Sequence, residues 1–106
     1  MSKLMRVMVM FDLPTETKKQ RGDSTRFRNA LIKSGFYMMQ YSIYIKLCNG
    51  WDAAKSAEAF VENIAPSSGS IRTMVVTEKQ YASMKRILGS KYYQESIFDS
   101  NFSIFL

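Results

Sequence analysis

The 106-residue chain has no histidine, one cysteine, two prolines and five glycines. Without an imidazole, every mechanism that uses histidine as base, proton shuttle or metal ligand is excluded within this chain. A lone Cys48 excludes internal disulfides and clustered zinc ligands. A reducing cytoplasm suits such cysteine usage. The scarcity of glycine and proline excludes a low-complexity linker, and no Gly-rich phosphate loop is present. Long apolar runs are also missing. The longest, Val7 to Phe11, is far too short to cross a bilayer. Lys3 and Arg6 are not followed by the apolar core and small-residue cleavage site of a secretion signal, which argues against export. Hydrolytic chemistry would have to come from carboxylates, hydroxyls, basic groups or a metal held by oxygen ligands.

What is present is an ordinary globular composition, 46% hydrophobic and 23% charged. A chain of this length forms one domain, or half of a symmetric dimer, and buries about 65% of its extended-chain surface. The formal charge is +6, and the whole excess lies in residues 1–46, where nine Lys or Arg face three Asp or Glu. Within that half, Lys18, Lys19, Arg21, Arg26, Arg28 and Lys33 are accompanied by one acid, Asp23. A one-sided basic element suits a polyanion such as nucleic acid. A membrane-surface helix would need a broader apolar face, so no membrane partner is expected. A merely solvated helix face is the competing reading of the charge.

Leu4 to Phe11 is apolar almost throughout and reads as a central strand, ending at Asp12 before Pro14. Thr15 and Thr17 are candidate N-caps for a helix running to about Ser34. Phe27, Ala30, Leu31 and Ser34 share one face of it. Gly22 weakens its first turns, and Gly35 is a suitable stop. Phe36 to Leu47 alternates with period two, so it is strand, with a bend or break near Gln40 and Tyr41. Asp52 to Ile64 reads as a second helix with Ala53, Ala57, Phe60 and Ile64 inward. Ile71 to Thr77 is a further strand, and Glu78 to Leu88 carries Tyr81, Met84 and Leu88 at helical spacing. Phe102, Ile104 and Leu106 alternate and suit a last strand.

This order gives an α+β, ferredoxin-like (βαββαβ) plan, an antiparallel sheet with two helices on one face. Residues 1–88 form that domain and 89–106 a C-terminal segment. The helix-free side of the sheet is left bare, which predicts a homodimer.

Several segments taken together resemble a known family. They are Met10 to Lys19 (Met-Phe-Asp-Leu-Pro-Thr-Glu-Thr-Lys-Lys), Arg26-Phe27-Arg28, Leu31 to Phe36, Gln40 to Tyr44 (Gln-Tyr-Ser-Ile-Tyr) and Thr77 to Tyr81 (Thr-Glu-Lys-Gln-Tyr). In this order and over residues 5–88 they resemble the CRISPR-associated Cas-two family, the small dimeric subunit of spacer acquisition. The Thr-Glu-Lys-Gln-Tyr segment resembles the branch found with a single large effector nuclease (type II). The resemblance implies a dimer whose C-terminal strand joins the partner's sheet. It also implies a position between two CRISPR integrase dimers, holding the double-stranded DNA of a new spacer. For some members it implies a metal-dependent nuclease activity on RNA or double-stranded DNA, with Mg²⁺ at the aspartate ending the first strand, here Asp12. Gly22-Asp23-Ser24-Thr25 stands where that branch has a basic and aromatic run, so part of the phosphate contact is expected to be missing or moved.

Asp12 is therefore the candidate catalytic and metal residue. Two copies facing each other across a twofold could share Mg²⁺, which would activate a water and stabilise charge on a scissile phosphate. The competing role for Asp12 is an Asx cap of the following turn. Lys18, Lys19, Arg26, Arg28 and Lys33 are the candidate phosphate contacts, which position nucleic acid without reading its sequence. Ser42 is either a partner for phosphate or for Asp12, or a plain outward residue of an alternating strand. Trp51 reads as a packing anchor, Cys48 as a buried inert thiol and the eight methionines as adaptable core. Two functions follow: a scaffold that presents basic surface to DNA, and a Mg²⁺-dependent endonuclease using paired Asp12.

Overall fold

In the computed structural model, which describes residues 3–89, β1 (Leu4–Asp12) runs through the middle of a four-stranded sheet. α1 (Lys18–Lys33) follows, then β2 (Tyr37–Gln40), β3 (Ile43–Asn49), α2 (Trp51–Ile64), β4 (Ser70–Thr77) and α3 (Glu78–Ala82). The sheet order is β2-β3-β1-β4, and every pairing is antiparallel. This is the ferredoxin-like arrangement expected from the sequence. The expected strand at Phe102 to Leu106, and all of residues 90–106, lie outside the described residues. Among the described residues, no helix is long and apolar enough to cross a membrane.

β1 earns its central place from its composition. Val7 and Val9 have no solvent exposure, and Phe11 and Met8 have little. Alternation sends Met5, Val7, Val9 and Phe11 to one side, where they pack with Phe27 and Leu31 of α1 and Ala54, Ala57 and Val61 of α2. Arg6, Met8, Met10 and Asp12 therefore share the other side.

α1 starts at a reciprocal cap. Thr17 Oγ1 accepts from the Gln20 amide at 3.1 Å, and Gln20 Oε1 accepts from the Thr17 amide at 3.0 Å. Gly22 lies within the helix and does not delay its start. The same Thr-x-x-Gln device opens α3, from Thr77 to Gln80.

Three expectations need correction. The buried stripe of α2 is Ala54, Ala57 and Val61, while Ala53 is exposed. The helix begins at Trp51, and its small Ala54 and Ala57 pack in the core beneath the sheet. Trp51 is 54% exposed and carries the Lys55 ammonium 4.8 Å from its ring centroid, so it covers a charge rather than anchoring the core. The last helix ends at Ala82 instead of continuing to Leu88, and Met84, Ile87 and Leu88 are exposed. Tyr81 alone of that apolar spacing is buried.

Nor is the helix-free side of the sheet uniformly bare. Tyr81 packs there with Met8, Tyr37, Met39 and Ile45. Beneath it lies Arg6, only 2% exposed. Its Nε and Nη2 donate to the Glu78 carboxylate at 2.7 and 2.9 Å, and Nη1 donates to the Tyr37 hydroxyl. The guanidinium carbon is 3.8 Å from the Tyr81 ring centroid. Burial pulls the Arg6 pKa down, but the hydrogen-bonded Glu78, with Tyr37 and Tyr81, lifts it above its ordinary value. The charge is kept.

Two outcomes follow. Removing one partner of a buried pair strands the other charge. Glu78→Gln is expected to lower the unfolding free energy by about 3 kcal/mol, while the double change Arg6→Met/Glu78→Leu recovers most of it; urea denaturation reads both. On the helix side, Thr73 Oγ1 donates to Glu58 Oε2, and Lys55 Nζ donates to the other carboxylate oxygen, Oε1, at 3.1 Å. The Thr73 bond leads, burial opposes it, and Lys55 adds to it, so the Glu58 pKa is depressed. Its stabilising effect is present above the ordinary Glu value of about 4.3 and fades as pH falls through the depressed folded value. Thr73→Val should raise the Glu58 pKa in a carboxyl NMR titration and flatten the acid limb of stability.

Candidate nucleic-acid interface

The end of β1 is where the candidate residues gather. Asp12 is exposed and follows Phe11, whose side chain points to the helices, so its carboxylate belongs to the opposite, helix-free side. It makes no hydrogen bond or ion pair with any described residue, so the Asx capping role is not taken up. Its backbone is tightly held. Asp12 pairs with Ser70 of β4, and Gly69 packs so closely that a Cβ there would stand 2.8 Å from the Asp12 carbonyl oxygen. Gly69 also has φ +105°, a conformation that favours glycine.

Arg72 is a residue the sequence reading did not single out. It pairs with Met10 and lies on the same side as Asp12, diagonal to it across the ladder, a spacing of about 7–8 Å in such pairs. The alternation of β4 already separated Arg72 and Met74 from the half-buried Ile71, Thr73 and Val75. Both Arg72 and Met74 are exposed, and Met10 and Ile43 beside them are half-buried. The helix-free side is thus open at the Asp12 end and covered by α3 at the Arg6 end.

Arg28 comes to the same rim from the helix side. Its guanidinium carbon lies 4.8 Å from the Phe11 ring centroid and 4.6 Å from that of Tyr41. Nη2 donates to Ser42 Oγ at 3.3 Å. Ser42 therefore serves Arg28, not Asp12. Tyr41 and Ser42 form the break between β2 and β3, which the sequence placed correctly. Ser42 has φ 70°, and its carbonyl accepts from the Phe11 amide at 3.0 Å.

The remaining basic candidates lie on α1. Lys18, Lys19, Arg26 and Lys33 are exposed. Asp23 holds two of them: Lys19 Nζ at 2.8 Å and Arg26 through Nη2. The Lys19 hydrogen bond, opposed by desolvation and joined by Arg26, lowers the Asp23 pKa. Arg21 turns back and donates to the carbonyls of Thr15 and Glu16, bracing the loop after β1. The first turn of α1 carries Lys18 and Lys19 and no acid, so positive charge sits at the positive end of the helix dipole. The candidate set divides into a tied part (Lys19, Arg26), a rim residue held between aromatics (Arg28) and exposed lysines (Lys18, Lys33). Cys48 is buried on the helix side, as expected, and burial pushes its thiol pKa up.

Comparison with known proteins identifies the family. The sequence profile of the CRISPR associated protein Cas2 family matches residues 5–84. A CRISPR-associated endoribonuclease Cas2 of Campylobacter jejuni is 42% identical over 95 residues, which are 90% of this chain and 66% of that protein. A protein of the same description from Acidovorax ebreus is 46% identical, over 86% of this chain and 89% of that one. One from Lacticaseibacillus rhamnosus is 44% identical, over 82% and 86%. With this fold, and with a match over most of its length, the chain belongs to the Cas2 family of CRISPR-associated proteins.

Proposed function

We propose that the chain is a dimeric subunit of CRISPR spacer acquisition in the cytoplasm, presenting basic surface to double-stranded DNA while docked to an integrase. The observation that carries this reading is the outer surface of α1, where Lys18, Lys19, Arg26 and Lys33 are exposed and Asp23 is the only acid of the helix. Such a surface meets phosphates and releases their counterions. It positions a duplex without reading its sequence. The integrase partner is proposed from the family relationship alone. A second copy suits the open half of the sheet, where Met10, Ile43 and Met74 leave apolar surface beside Asp12.

A second reading is a Mg²⁺-dependent endonuclease acting on RNA or double-stranded DNA. The endoribonuclease description of the relatives and the exposed, unpaired Asp12 favour it. Among the described residues, no three Asp, Glu, Cys or His side chains stand together as metal ligands. Asp12 alone of one protomer fits a hard, water-rich cation only as half a site. Asp12 of each copy would be the protein ligand, and the metal would supply Lewis-acid stabilisation of a phosphate and an activated water. Arg72 would sit on the same face to balance phosphate charge.

The readings separate by substitution. Lys18→Glu/Lys33→Glu should weaken duplex binding and reduce the slope of log affinity against log salt by about 2, near 0.9 per lost phosphate contact. Fluorescence anisotropy across a salt series measures it. Asp12→Ala should abolish any Mg²⁺-dependent cleavage yet leave spacer insertion intact. Loss of insertion in Asp12→Ala, with dimer and DNA affinity unchanged, would overturn the scaffold reading. A monomer in ultracentrifugation at micromolar protein would remove the dimer.

A further inference from the structure

We infer that the ring of Tyr41, backed by Arg28, is a stacking site for an unpaired nucleobase at the rim of the proposed DNA surface. This inference rests on the nucleic-acid reading above and adds a ligand class to it.

Tyr41 is 73% exposed in the two-residue break between β2 and β3. A side chain so exposed contributes almost nothing to the core. Its neighbours nevertheless restrict it. The Arg28 guanidinium contacts the Tyr41 ring and the Phe11 ring, and Phe11 is buried. The Arg28 hydrogen bond to Ser42 Oγ ties the same group to the next residue of the turn. Ser42 in turn holds a positive φ, secured by the Phe11 amide. A non-glycine residue in that region costs energy that the surroundings must offset. The turn thus holds an aromatic ring in place with a cation against it and most of its surface open to solvent.

The chemistry that fits is a π-face with a phosphate beside it. A base stacks on an aromatic ring whatever its identity, so such a platform is tolerant of sequence. Arg28 keeps donors beyond the one spent on Ser42, since a guanidinium has five N–H groups. These suit the phosphate next to the stacked base. A base inside a paired duplex has both faces covered by its neighbours, and the outer face of a terminal pair is fixed to the end of the helix. An unpaired base is the one free to swing onto Tyr41.

The experiment compares a blunt duplex with the same duplex bearing short single-stranded extensions, with 2-aminopurine at the first unpaired position. The full chain is used as wild type, Tyr41→Phe and Tyr41→Leu. For the wild type and Tyr41→Phe, binding of the extended duplex should quench the 2-aminopurine emission. Tyr41→Leu should lose the quenching and bind the extended duplex about 5- to 100-fold more weakly, with blunt-duplex affinity unchanged. Thermal melts should coincide for the three proteins, because the ring is outside the core. Quenching that survives in Tyr41→Leu, or equal weakening on both duplexes, overturns the inference. Wild type that binds blunt duplex without quenching the extension overturns it alone. Wild type that binds neither duplex overturns the DNA reading and this inference together.

Discussion

Arg6 carries a full positive charge in a place that water scarcely reaches, and the helix-free side of the sheet is arranged around that fact. Desolvating a guanidinium is costly unless its donors and charge are matched. Here Glu78 takes two donors, the Tyr37 hydroxyl takes another, and the Tyr81 ring lies against the cation. Those partners come from β2 and from α3, so one side chain of β1 ties together three separate elements. Glu78 and Tyr81 stand at the first and fourth positions of α3. Their demand explains how a helix of five residues, far too short to persist alone, keeps its place. The Thr77 and Gln80 capping box gives it a defined start. Tertiary contact supplies the rest.

The same pair shapes the candidate site at the other end of the strand. Arg6 and Asp12 are six residues apart on one face, so the period of two that buries the cation also turns the carboxylate to that side. α3 covers the Arg6 half and leaves the Asp12 half open. Apolar surface at Met10, Ile43 and Met74 remains there. The internal pair also subtracts itself from the outer field, because Arg6 and Glu78 neutralise one another. What a distant polyanion meets is the excess on α1 and at the rim, partly reduced by Asp23.

Much of this was legible in the residues, for reasons that differ by element. β1 was readable because an apolar run flanked by Asp12 and Pro14 has few other solutions. The break at Tyr41 was readable because twelve alternating residues exceed the usual strand. The phase of α2 was not, since its apolar residues cover more than one face and the sheet selects Ala54, Ala57 and Val61 over Ala53 and Phe60. The length of α3 was not, because Met84 and Leu88 keep helical spacing with nothing among the described residues to bury them. Arg6 was invisible as a structural residue. A charge in a strand reads as surface until a partner 72 positions away is known to meet it. The Thr-x-x-Gln pattern, present before both α1 and α3, was the one available signal for where Glu78 would be held.

Asp12 and Arg28 lie at one strand end without meeting. Phe11 faces the helices and receives Arg28, whereas Asp12, the next residue, faces away. The backbone of β1 therefore stands between the guanidinium and the carboxylate, and the two form no ion pair. Had both been on one side, mutual neutralisation would have removed the attraction for phosphate and the affinity for a cation together. Kept apart, Arg28 adds to the positive surface that begins on α1, and Asp12 stays available on the side where a second protomer would bring its own copy. On the readings proposed above, contacts with nucleic acid and with metal would change independently in sequence. A member of this family could lose one without giving up the fold that supports the other.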